Sequence, residues 1–68
     1  MYTIIFSNLS DGEMFSNSYT YHYFRAAMNT VDNIMRDYAL MSNKDGDYWS
    51  ITVFYKNCAI LTLNSAMF

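Results

Sequence analysis

The chain has 68 residues, of which 53% are hydrophobic, 19% aromatic and only 15% charged, against about 25% charged in an ordinary soluble domain. Four Lys or Arg and six Asp or Glu leave a net charge of −2 with no basic run. The electrostatic footprint of a phosphate-backbone binder is therefore missing, and the acidic excess is too slight for a mimic of DNA.

A chain this short is expected to form one domain, residues 1–68, and buries only roughly 60% of its unfolded surface. One small core has few interior places, so part of the apolar surface is expected to meet another chain, either a second copy in a homodimer or a protein target. The single cysteine, Cys58, excludes an internal disulfide, the usual staple of small secreted domains. The opening "MYTIIFSNLSDGE" has no basic n-region and its apolar run stops after Phe6. The expectation is a cytoplasmic protein with neither signal peptide nor membrane span.

Residues 1–8 set Tyr2, Ile4 and Phe6 against Thr3, Ile5 and Ser7, which predicts a strand. Asp11-Gly12 is a strong two-residue hairpin signal because both residues tolerate positive φ. It opposes Leu9 to Met14 and Asn8 to Phe15, and predicts a short second strand near residues 13–17.

From about Thr20 to Met41 the period changes to 3.6. Phe24, Ala27, Met28, Val31, Ile34, Met35 and Tyr38 form one apolar stripe, with Arg25, Asn29, Asp32, Asn33 and Arg36 opposite. Asp32 and Arg36 stand in the favourable i, i+4 order. Ser18 or Thr20 is expected to cap the start, Asn43 to take the left-handed position after the end, and Lys44 to complement the negative pole.

"NKDGD" then turns the chain into two further strands within "YWSITVFYKNCAILTLNS". A three-residue loop, Tyr55-Lys56-Asn57, pairs Val53 with Ala59, Ile51 with Leu61 and Trp49 with Leu63, all on one face. A two-residue Lys56-Asn57 turn sets Val53 against Ile60 and Ile51 against Thr62, dispersing the apolar set, so the longer loop is preferred.

The predicted architecture is α+β: a small ββαββ domain with a four-stranded, mostly antiparallel sheet and one α-helix packed on one face. The helix is expected to cover Tyr2, Ile4, Phe6, Phe15, Trp49, Ile51, Val53, Ala59, Leu61 and Leu63. The open face is expected to carry Thr3, Ile5, Met14, Thr52, Phe54, Cys58, Ile60 and Thr62.

Few residues carry chemistry. His22 and Cys58 are the only members of their types, and a nucleophile pair needs hydrogen-bond reach and an orienting group. A zinc site lacks ligands in number and spacing, "KDGD" lacks the rest of a calcium loop, and two glycines make no phosphate cradle. No catalytic residue, metal or cofactor is expected. Phe54 on the open face is a possible base-stacking ring, yet it has no Lys or Arg flanking it in the sheet.

In "SYTYHYFRAAM", read as the helix start, Phe24 and Tyr21 point to the core, leaving Tyr19, His22 and Tyr23 as candidate contacts. Together with Ile5, Phe54 and Ile60 on the open face they make up the expected partner-binding residues. The expected function is a non-enzymatic protein-binding module. Its size and style suggest a small phage or mobile-element inhibitor of the anti-CRISPR or anti-restriction kind, docking on a larger intracellular complex. The alternatives are a nucleic-acid-associated regulator or an assembly subunit without activity of its own.

Overall fold

A computed structural model describes residues 1–10, 12–39 and 48–67. The elements run β1 (Tyr2–Ser10), β2 (Glu13–Tyr21), α1 (Phe24–Ala39), β3 (Tyr48–Tyr55), β4 (Cys58–Asn64) and a closing 3₁₀ turn, Ser65–Met67. The four strands form one antiparallel sheet in the order β2-β1-β3-β4, and α1 lies across one face, chiefly over β1 and β2. This is the expected ββαββ fold of the α+β class.

The first hairpin has the register that Asp11-Gly12 implies, with Leu9 opposite Met14 and Asn8 opposite Phe15. Gly12 has φ +80, which glycine accepts without steric cost.

Pairing does not stop at residue 17, as the short-strand reading expected. It continues to Tyr2 opposite Tyr21, so Tyr19 and Tyr21 belong to β2, and α1 begins at Phe24 rather than near Thr20. The reason is that β1 offers nine residues of partner, while Ser, Asn, Tyr and Thr are weak helix formers and Tyr and Thr favour strands. Neither Ser18 nor Thr20 caps the helix, since both are strand residues. Tyr23 stands in that place, its carbonyl accepting the first helical bond from the Ala27 N–H at 3.2 Å. The expected helix end at Met41, the roles of Asn43 and Lys44, the "NKDGD" turn and the Tyr38 side chain lie outside the described residues.

The apolar stripe of α1 meets the sheet. Ala27 and Val31 are buried among Ile4, Phe6, Trp49, Ile51 and Val53, and Met28, Ile34, Met35, Leu61 and Leu63 pack around them. Truncating one such aliphatic side chain typically costs about 2–5 kcal/mol, a large share of the roughly 5–15 kcal/mol that holds any domain folded. Arg25, Asn29, Asp32, Asn33 and Arg36 are exposed, as the stripe requires. Two aromatic residues expected in the core sit at its margin: Phe24 and Phe15 each remain 51% exposed. Phe24 makes an edge-on contact with Tyr2 at 5.5 Å, and Tyr2 stacks on Tyr55 at 4.6 Å.

The second hairpin departs from the preferred loop. Lys56 and Asn57 have φ +50 and +64 and form a two-residue turn that pairs Tyr55 with Cys58 and Phe54 with Ala59. The register then shifts, leaving Ile60 as an extra residue, after which Val53 faces Leu61 and Ile51 faces Leu63. The bulge reconciles two demands that an uninterrupted ladder cannot meet together. The tight turn matches the twist of the strands, and the extra residue returns Leu61 and Leu63 to the helix face. Two face assignments reverse as a result: Ala59 lies on the open face, and Cys58 on the helix face. Leu63 thus faces Ile51 rather than Trp49, and the Trp49 N–H donates to Ser65 Oγ at 3.2 Å. Asn64 Oδ1 accepts from the Ala66 N–H at 3.0 Å, capping the 3₁₀ turn.

Candidate functional site

Strand alternation and pairing assign the open face. It carries Thr3, Ile5, Ser7 and Leu9 from β1, Met14, Ser16, Ser18 and Thr20 from β2, and Tyr48, Ser50, Thr52 and Phe54 from β3. β4 adds Ala59, Thr62 and Asn64 by pairing, and the bulge residue Ile60 with them, since the two residues of a bulge keep to one side of the sheet. None of these residues is charged.

The face is graded along the strands. Ile5, Phe54, Ala59 and Ile60 make one end apolar, with Ile5 38% and Ile60 47% exposed and Phe54 half-buried. Hydroxyls occupy the middle, where Ser7 and Ser16 share a 3.2 Å hydrogen bond. Leu9 opposite Met14 and Tyr48 makes the other end apolar again.

A shallow depression of about 430 Å³ opens at the first apolar end, lined by Met1, Thr3, Ile5, Phe54, Lys56 and Asn57. Its position follows from local structure. The Lys56-Asn57 turn contributes both its residues to the lining, and the Lys56 ammonium sits 5.3 Å from the Tyr55 ring centre, a cation–π distance.

Of the six residues expected to bind a partner, Ile5, Phe54 and Ile60 share this end of the open face. The other three are elsewhere. Tyr19 is on β2, opposite Ile4, and so on the helix face, 37% exposed. His22 and Tyr23 form the bend between β2 and α1, with Tyr23 78% exposed. His22 and Tyr23 thus stand at the start of α1 and Tyr19 on the strand before it, and none of the three joins the open face.

His22 follows Tyr21 at the β2 edge, whereas Cys58 closes the same row of residues at the β4 edge. Three strand spacings, roughly 14 Å, separate those edges, beyond hydrogen-bond reach. Among the described residues no group of three or more His, Cys, Asp or Glu is placed to hold a metal ion, and no helix is long and apolar enough to cross a membrane.

Sequence reasoning missed the hydroxyl middle of the face and the Leu9–Tyr48 pair. The signal for the first was present: Ser16, Ser18 and Thr20 alternate with Phe15, Asn17, Tyr19 and Tyr21 at period two through residue 21. No family model, no curated protein and no solved structure matches the chain.

Proposed function

We propose that the protein is a non-enzymatic protein-binding module and that the end of the open face around Ile5, Phe54 and Ile60 is its contact surface. The observation that carries this reading is a sheet face without a charged strand residue, with a depression at one end where Met1, Ile5 and Phe54 meet Thr3, Lys56 and Asn57. The centres of protein–protein contacts are depleted of charge and enriched in aromatic residues and Met, with the charge held at the rim. Here Phe54 and Ile5 line the depression together with Lys56, and the hydroxyls extend the contact without a buried charge. A nucleic-acid surface needs cations along the backbone track, and this face has none. The narrower reading, a small phage-type inhibitor in the cytoplasm that blocks a larger complex, is supported only by size and architecture.

The test is affinity capture from the native cell with three baits: the native chain, Ile60→Lys and Tyr23→Ala. Ile60→Lys places a charge on an exposed residue of the proposed contact, so the fold should persist and the captured protein should be lost. Tyr23→Ala should keep it. Capture retained by folded Ile60→Lys and lost by Tyr23→Ala would move the contact to the bend before α1.

A further inference from the structure

No described strand pairs with the outer side of the edge strand β2. It closes one side of the sheet with nine residues, and Glu13–Thr20 are all exposed. Proteins normally blunt such edges with charges, prolines or bulges, because a free row of N–H and C=O groups is a template for another strand. The opposite edge, β4, is broken by the bulge at Ile60. Along β2 the ladder to β1 is regular, and from Met14 to Tyr21 there is neither charge nor proline.

The direction of the free groups follows from the turn. A two-residue hairpin makes Ser10 and Glu13 a hydrogen-bonded pair, so Glu13, Phe15, Asn17, Tyr19 and Tyr21 bond to β1. Met14, Ser16, Ser18 and Thr20 therefore aim their backbone N–H and C=O outward. The stretch is also self-complementary: Phe15-Ser16-Asn17-Ser18-Tyr19 is aromatic, Ser, Asn, Ser, aromatic in either direction. A two-fold contact needs this property, since the same patch must meet itself.

We propose that β2 pairs antiparallel with β2 of a second copy about a two-fold axis at Asn17, joining two sheets into one. In this register Ser16 lies opposite Ser18 of the second copy and Met14 opposite Thr20, the outward-facing residues on both sides, and each such pair exchanges two backbone hydrogen bonds. Phe15 lies opposite Tyr19 in the closer, non-hydrogen-bonded sites, twice by symmetry. That covers two aromatic residues, Phe15 at 51% and Tyr19 at 37% exposure, that α1 leaves uncovered. Asn17 meets its own copy with no charge opposed to a like charge. Both helices fall on one side of the joined sheet, and both open faces stay free on the other. The contact is thus independent of the surface proposed for a protein target.

Sedimentation across a dilution series, with circular dichroism as the fold check, tests the pairing. The native chain should reach twice its 8.0 kDa mass. Ser18→Pro deletes an outward N–H that the single chain does not use, a position where an edge strand tolerates proline. Asn17→Lys sets two ammonium groups against each other on the axis. Both variants should stay folded and sediment at 8.0 kDa, and mixing Asn17→Lys with Asn17→Asp should restore a mixed dimer. A native chain that stays single overturns the proposal. So does a dimer that survives Ser18→Pro and Asn17→Lys but dissolves with Ile60→Lys, which would mark packing through the open faces, or a folded Lys/Asp mixture that remains monomeric.

Discussion

The hydroxyl of Thr30 donates a 2.6 Å hydrogen bond to the phenol oxygen of Tyr21, tying α1 to the last residue of β2. The pair is partly buried, so neither group is fully compensated by water when the other is removed. Tyr21→Phe and Thr30→Val should each cost about 1 kcal/mol in urea unfolding. The double variant should cost less than the two added together, because the groups share one bond. Strict additivity would mean that the bond is not made in solution.

Val31 is 3% exposed on the helix stripe, whereas its neighbour Asp32 is exposed. Val31→Asp buries an unpaired carboxylate and should unfold a domain with a total margin of roughly 5–15 kcal/mol. Asp32→Ala should change stability by no more than about 0.5 kcal/mol. The measurement is thermal unfolding followed by circular dichroism. A Val31→Asp protein that keeps the native midpoint would place the stripe in solvent.

The second turn holds two residues at positive φ, Lys56 and Asn57. Asn57→Gly should be neutral or mildly stabilising, since glycine adopts that conformation freely. Lys56→Val and Asn57→Val should each cost on the order of 1 kcal/mol or more, because a β-branched residue resists it. If Lys56→Val were harmless while Asn57→Val was not, only one left-handed position would exist and the loop would be the longer one.

Ile60 is the extra residue of the β4 bulge. Deleting it joins Ala59 directly to Leu61, so Phe54–Ala59 and Val53–Leu61 become consecutive pairs of a regular ladder without moving any core residue to the other face. The shortened chain should keep its circular dichroism spectrum and a cooperative transition. Loss of the fold on this deletion would show that the bulge itself, rather than the faces it aligns, holds β4 in place.

Much of the architecture was legible in the sequence because it is written in local periods. The Asp11-Gly12 signal implied the register that the first hairpin has, and the three- and four-residue spacing from Phe24 to Met35 defined a helix with one buried face. The alternation of β1 and β3 separated Ile4, Phe6, Ile51 and Val53 from Ile5 and Phe54. What went astray was decided by pairing between distant segments. Whether Tyr19 and Tyr21 begin a helix or extend a strand depends on β1 offering partners as far as Tyr2, which no window around residue 20 contains. Whether the second turn has two residues or three depends on a bulge three residues downstream, where Ile60 absorbs the offset so that both the tight turn and the core alignment of Leu61 and Leu63 are satisfied. These two outcomes placed Tyr19 on the helix face, Cys58 opposite Tyr55, and Ser16, Ser18 and Thr20 on the open face. Side-chain chemistry and short periods belong to the sequence. Which face and which edge display that chemistry is a property of the assembled ladder, because one residue of register turns every side chain over.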